Sequence, residues 1–139
     1  MELALIRSLM DKEFYDNHRG SRCPERLFSP DVRKIKKAID SAMQRYERTV
    51  TPDEIEALFL VSNATLTTAQ KQAYGALFAT VKNEQPMGVD IAQEVLSKLF
   101  QQVIGEDIAN LGFDYVNGTK DTLEPLRNMI EQYGDDFTP

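Results

Sequence analysis

The chain has 139 residues, of which 42% are hydrophobic and 27% are charged, as is typical of one globular domain that buries a core. No apolar run approaches the roughly 20 residues that span a bilayer, no basic start to a signal peptide is present, and one cysteine excludes an internal disulfide. The net charge of −6 argues against a domain that grips nucleic acid by itself, because such affinity comes mainly from neutralised phosphates.

Charge is distributed unevenly along the sequence. Residues 7–48 hold eleven of the sixteen basic residues against seven acidic ones, whereas residues 49–139 hold five basic residues against fourteen acidic ones. Such runs are typical of a solvated surface. They are also compatible with a face that meets the oppositely charged face of a neighbour.

Helix signals recur through the first half of the chain. Apolar residues at helical spacing predict a short helix over Leu3–Met10. Ser29-Pro30-Asp31 predicts a second start, because a hydroxyl cap, an early proline and an acid in the first turn all favour a helix N-terminus. Thr51-Pro52-Asp53-Glu54 and Thr67–Gln70 each have the capping-box pattern and predict two further helices.

The longest periodic segment runs from Asp90 to about Leu111. Gly105 interrupts it, at a cost of about 1 kcal/mol relative to Ala. A helix with such a wide apolar face is either buried on two sides or paired with a partner. Its main predicted stripe is Ile91, Val95, Leu99, Val103 and Ile108, which Leu96, Phe100 and Ile104 widen.

A last helix is predicted after a turn at Asn117-Gly118. Asp121 and Glu124 would cap this helix and Gly134 would end it. Its apolar positions are Leu123, Leu126, Met129, Ile130 and Tyr133. A short amphipathic helix of this kind either packs in its own core or docks in a groove on a neighbour. No alternating run has strand length, so we predict an all-α fold, a compact domain of about six helices with a C-terminal helical hairpin or linker helix.

Few residues suit chemistry. His18 and Cys23 are the only histidine and cysteine, whereas zinc needs about four such ligands and nucleophilic catalysis needs a base beside the nucleophile. The phosphate-loop pattern G-x-x-x-x-G-K-[ST] is absent, and the acidic pairs lack the spacing of a calcium loop. We therefore expect no catalytic, cofactor or metal site here. A small enzyme, the third possibility, would have to work with acids and hydroxyls alone.

The order of segments is informative over nearly the whole chain. A short apolar helix and an aromatic pair precede a helix that contains Ile35, Ile39 and Tyr46, then a helix opened by proline, a long helix and a short apolar segment. These parts are Leu5–Met10 with Phe14-Tyr15, Leu27–Tyr46, Thr51–Leu58, Asp90–Leu111 and Leu126–Ile130. This order resembles the N-terminal domain of the DnaB-family ring helicases, particularly the replicative helicases of large tailed phages.

The resemblance implies a collar domain without catalytic activity, belonging to an ATP-dependent DNA helicase of the host bacterium's cytoplasm. Residues 1–118 would form the collar, and residues 119–139 the linker helix and the start of a linker to a motor domain. ATP and Mg²⁺ are expected only in that motor domain, which this chain lacks. By the resemblance, Leu96, Leu99, Phe100, Val103, Ile104 and Ile108 would form the self-association surface, and Leu123, Leu126, Met129 and Ile130 the linker-docking face.

The implied partners are further copies of the chain, in a dimer or a hexameric collar, and a primase or helicase loader. DNA would be met only through the complete ring, and no membrane is involved. The alternative is a stand-alone helical adaptor or inhibitor that binds a host protein. A reading frame that continues past Pro139 into the phosphate-loop pattern would favour the helicase, and a stop codon there would favour the adaptor.

Overall fold

Helices account for nearly all of the architecture in a computed structural model, which describes residues 1–18, 20–118 and 123–133. No strand occurs in these ranges, which confirms the predicted all-α fold. In the same ranges, no helix has the length and apolar character that crossing a membrane requires. The helices are α1 (Glu2–Leu9), α2 (Lys12–Asn17), α3 (Pro30–Tyr46), α4 (Pro52–Ser62), α5 (Thr68–Asn83), α6 (Val89–Asn117) and α7 (Leu123–Tyr133), with short 3-10 turns at Gly20–Arg22 and Glu25–Leu27.

The chain divides into two compact units, Met1–Gln93 and Glu94–Pro139, and the boundary falls inside α6. The domain boundary that we predict at residue 118 stays a prediction. The predicted cap at Asp121, the stop at Gly134 and the linker after it lie outside the described residues.

Two of the predicted helix starts are confirmed in detail. Thr51 Oγ1 accepts a hydrogen bond from the Glu54 N–H at 3.2 Å, and the Glu54 carboxylate accepts one from the Thr51 N–H at 3.0 Å. Thr67 and Gln70 make the same pair of bonds. The hydroxyl cap predicted at Ser29 is wrong, because its side chain makes no capping bond and its N–H instead donates to the carboxylate of Glu2 in α1.

The core of the first unit lies among α1, α3, α4 and α5, because α4 packs on α3 and α5, and α1 packs on α3 and α5. Phe59 is at its centre, with ring centroids 4.6 Å from Tyr74 and 5.5 Å from Phe78. Each large apolar side chain that is fully buried contributes about 1.5–3 kcal/mol. The most completely buried ones are Leu5, Ile6, Leu9, Met10, Ile35, Ile39, Ile55, Phe59, Phe78 and Val81.

The connection between α3 and α4 is tied to the end of α1. Helix α3 stops at Glu47, whose φ of 52° is left-handed. The Val50 N–H then donates to the Met10 carbonyl at 3.0 Å, and the Lys12 N–H donates to the Thr49 hydroxyl at 2.9 Å. These bonds orient α3 and α4 relative to α1.

Helix α6 is longer than the sequence predicts, since it has 29 residues and continues to Asn117. Gly105 does not break it, because one glycine costs only about 1 kcal/mol against many favourable neighbours. The most buried row of α6 is not the predicted main stripe, of which Val95, Leu99, Val103 and Ile108 are half-buried. The buried residues are Ala92, Leu96, Phe100 and Ile104, whereas Ile91 is exposed. From residue 91 to residue 104 both rows advance by four residues, so periodicity alone could not tell which of them faces inward. The predicted turn at Asn117-Gly118 is confirmed, because Gly118 has a φ of 67°.

Candidate functional site

The residues predicted for self-association all lie on α6, and they differ in exposure. Leu96, Phe100 and Ile104 are buried within a single chain. Leu99, Val103 and Ile108 are half-buried and are the members of the set that a second chain could reach. Self-association through this set stays a prediction.

The residues predicted for linker docking lie on α7. Leu123 and Ile130 are exposed, while Leu126 and Met129 are half-buried. The helix also places Arg127 Nη1 3.7 Å from Glu124 Oε2, one turn apart. This is the amphipathic helix that the sequence predicts, and its docking role stays a prediction.

Helix α6 also has a second, exposed face that the sequence did not predict. We call it the exposed α6 ridge, and every one of its residues is exposed: Gln102, Glu106, Ala109, Phe113 and Val116. Spacings of four and three place them along one side of the helix. Phe113 is 69% exposed and Val116 is 83% exposed. Their apolar side chains were visible in the sequence, but ending the helix near Leu111 assigned them to a turn.

A groove of about 430 Å³ runs along α3 and α4 in the first unit. We call it the α3–α4 groove. On α3, the residues Lys34, Ala38, Ser41 and Arg45 line it at spacings of four, three and four. Lys37, Ala42, Tyr46, Leu58, Phe59, Ser62 and Asn63 complete the lining. Every lining residue is described, and none is acidic. The charged residues of its lining, Lys34, Lys37 and Arg45, are therefore all basic.

Tyr46, which lines the groove, lies beside two arginines, of which Arg45 also lines the groove. The guanidinium carbons of Arg45 and Arg48 each lie 5.9 Å from the ring centroid of Tyr46. Arg48 also holds Glu54, with Nη2 2.6 Å from Oε2. This hydrogen bond, together with the backbone bond from Thr51, lowers the pKa of Glu54 to about 2. Arg45 contributes positive charge to the groove beside an aromatic face.

A polar cluster joins α2 to α3. The Tyr15 hydroxyl donates to Asp40 Oδ1 at 2.6 Å, and Lys36 Nζ donates to both Asp40 oxygens at 2.6 and 2.8 Å. The side chain of Lys36 is 7% exposed, whereas that of Asp40 is 38% exposed. Burial, followed by the Asp40 contact, raises the pKa of Tyr15. The phenol is protonated near neutral pH, as an ordinary tyrosine is, and its hydroxyl holds Asp40 in place through this hydrogen bond.

His18 and Cys23, the only histidine and cysteine of the sequence, lie in different surroundings. The His18 ring packs on Phe14, with 4.7 Å between centroids. Burial raises the pKa of Cys23 to about 11, so the weakly nucleophilic thiol form dominates near neutral pH. Among the residues that the structure describes, no group of three or more His, Cys, Asp or Glu side chains could hold a metal ion.

Comparison with known proteins adds no family. No protein-family model matches the chain, and neither the curated proteins nor the solved structures contain a match. The resemblance to the DnaB-family collar therefore stays an expectation from segment order. The features on which a functional argument can be built are the α3–α4 groove and the exposed α6 ridge.

Proposed function

We propose that this chain is a non-catalytic assembly domain that binds further copies of itself with α6 in the contact. The observation that carries the proposal is the exposed α6 ridge. Phe113 and Val116 present large apolar side chains to solvent, one turn apart on a helix of 29 residues. Apolar side chains that lie next to each other on a surface favour a protein contact. A helix with apolar residues at spacings of three and four is suited to pack against another helix.

The finer proposal is that the domain is the collar of a hexameric, ATP-dependent replicative DNA helicase. Its support is the order of segments, now with α6 at about 44 Å in length. The turn at Gly118 and the amphipathic α7 follow α6, in the order expected of a hairpin or linker helix. In this proposal a motor domain supplies ATP and Mg²⁺ binding, and a primase or helicase loader meets the collar.

Analytical ultracentrifugation over a wide concentration range tests self-association. We expect the wild-type chain to form dimers or larger species, and Val116→Asp to shift it towards monomer. Val89→Asp is the matched control, because Val89 is also on α6 and is 61% exposed, but lies at the other end of the helix. A wild-type chain that sediments as a monomer at every concentration contradicts the proposal.

The predicted set on α6 is tested in the same experiment. Leu99→Asp and Val103→Asp are expected to weaken association if the half-buried residues contribute to the contact. Both side chains are partly covered in the single chain, so the thermal stability of each variant has to be measured alongside. The helicase proposal has its own test, which is whether the reading frame past Pro139 encodes the phosphate-loop pattern or stops, as a stand-alone adaptor requires.

A further inference from the structure

We infer that the α3–α4 groove of one chain receives the exposed α6 ridge of a second copy, in a head-to-tail contact. This inference rests on the proposed self-association and names the surface that α6 meets. The two surfaces differ from each other, so the contact is heterologous and each bound chain still offers one groove and one ridge.

The two surfaces have matching helical spacing. Lys34, Ala38, Ser41 and Arg45 on α3 follow one another by four, three and four residues, and so do Gln102, Glu106, Ala109 and Phe113 on α6. We call each of these two rows of four residues a seam. Each seam extends over eleven residue steps, or about 16 Å at 1.5 Å per residue. Seams of this spacing allow two helices to interdigitate their side chains along a common length.

The shapes of the seams also fit. The middle of the α3 seam carries only small side chains, Ala38 and Ser41, between a lysine and an arginine. Ala109 lies in the middle of the ridge, between Glu106 and Phe113. Small side chains facing each other let the two backbones approach closely, and Leu58 on α4 offers an apolar wall for Phe113 or Val116.

Charge favours the head-to-tail arrangement over a symmetric one. The charged residues that line the groove are Lys34, Lys37 and Arg45, and Lys37 Nζ lies 3.9 Å from Glu25 Oε1, which is outside the lining. Residues 94–139 contain nine acidic and three basic residues, which is the whole net charge of −6, while residues 1–93 contain thirteen of each. A groove facing a groove would bring basic residues together, whereas a groove facing the ridge places them opposite Glu106 on the acidic segment 94–139.

A basic groove with an aromatic residue also suits single-stranded nucleic acid in principle. The second copy fits the observations better, because a chain of net charge −6 repels phosphates and because Phe113 and Val116 need an apolar partner. A heterologous contact repeated around an axis closes into a ring, and without closure it extends as a filament. The contact therefore supplies a route to a ring-shaped collar without a second kind of interface.

Mixing two variants tests the inference. Lys34→Glu combined with Arg45→Glu disables the groove but leaves the ridge, and Phe113→Asp combined with Val116→Asp disables the ridge but leaves the groove. Each variant alone should have a dissociation constant for self-association at least about tenfold above the wild-type value. An equimolar mixture should recover one contact and form a 1:1 dimer that does not grow further. Lys71→Glu, on the exposed surface of α5, controls for added negative charge.

Three results overturn the inference in distinguishable ways. If wild type associates and the groove variant associates as strongly, the groove is not the receiving surface, although the proposed self-association stands. If wild type is monomeric, the proposed function fails as well. If the groove variant instead loses binding to a 20-nucleotide thymidine strand, measured by fluorescence anisotropy, while its association is unchanged, the groove serves nucleic acid. Wild-type association should also weaken as NaCl rises from about 0.05 to about 0.5 M, because screening reduces the charge attraction.

Discussion

Gly20 lies so close to the ring of Tyr15 that a Cβ on residue 20 would be 2.4 Å from the Tyr15 Cδ2 atom. The ring cannot easily turn away, because its hydroxyl donates a hydrogen bond of 2.6 Å to Asp40 on α3. The absence of a side chain at Gly20 therefore allows the 3-10 turn Gly20–Arg22 to pack directly on α2.

Gly20→Ala is expected to lower the free energy of unfolding by about 1–3 kcal/mol, since the added methyl overpacks a buried contact. Gly75→Ala is the matched control. Nothing lies within 4 Å of a Cβ at Gly75, inside α5, so this change should raise the free energy of unfolding by about 1 kcal/mol. Urea denaturation measures both, and effects of the same sign would contradict the close packing.

Asp40→Ala should destabilise the fold more than Lys36→Met. The first change leaves the nearly buried Lys36 ammonium and the Tyr15 hydroxyl without their shared acceptor, at a cost of about 2 kcal/mol. The second keeps the apolar stem of residue 36, and the partly exposed Asp40 carboxylate is hydrated, so the cost is about 1 kcal/mol or less. Thermal unfolding of the two variants gives the order, and a larger loss for Lys36→Met would contradict it.

Glu54 should make stability depend on acid pH. Its pKa is lowered from 4.5 to about 2 in the folded chain, mainly by the hydrogen bond from Arg48. The stabilisation is therefore complete above about pH 4.5 and is lost as the pH falls towards about 2. We expect Glu54→Gln to lose less stability than wild type between about pH 6 and about pH 3.

The second capping box provides the control for this pH dependence. Gln70 occupies the position of Glu54 in the Thr67 box but carries no charge. Gln70→Ala should therefore lower the melting temperature by a similar amount at both pH values. If Glu54→Gln follows the wild-type pH profile, the Arg48 bond does not hold the carboxylate in solution.

Glu47→Gly should stabilise the chain by about 0.5–1 kcal/mol. Glu47 ends α3 with a φ of 52°, a conformation that costs a residue with a Cβ more than it costs glycine. Gln44→Gly, three residues earlier inside α3, should instead destabilise by about 1 kcal/mol. Urea denaturation separates the two, and destabilisation by both would show that the left-handed residue is unstrained.

The sequence predicted the local features of this fold well. The boxes at Thr51 and Thr67 could be read directly, because both partners of each hydrogen bond lie within four residues. The cluster of Tyr15, Lys36 and Asp40 could not, since Tyr15 and Asp40 are 25 residues apart and only the packing of α2 on α3 joins them.

The candidate surfaces were predicted only in part. Helix α6 was expected, but the exposed α6 ridge was not. Gly112 and the segment Phe113–Val116 follow the predicted helix end near Leu111, so these residues were assigned to a turn. The α3–α4 groove was also missed. In the sequence, only the basic excess of residues 7–48 indicated a positively charged groove. Which of those basic side chains lie on one face depends on how α3 packs on α4.

The alkylation rate of the single cysteine should report how often the chain opens locally around it. Cys23 is half-buried and burial raises the pKa of its thiol to about 11, so an alkylating reagent near neutral pH should react with it slowly in the folded chain and faster when the stretch between α2 and α3 opens. The rate at which the chain gains the mass of one adduct should therefore rise as those openings become more frequent. Substitutions at Gly20 or Asp40 should quicken that rate well before the chain as a whole unfolds.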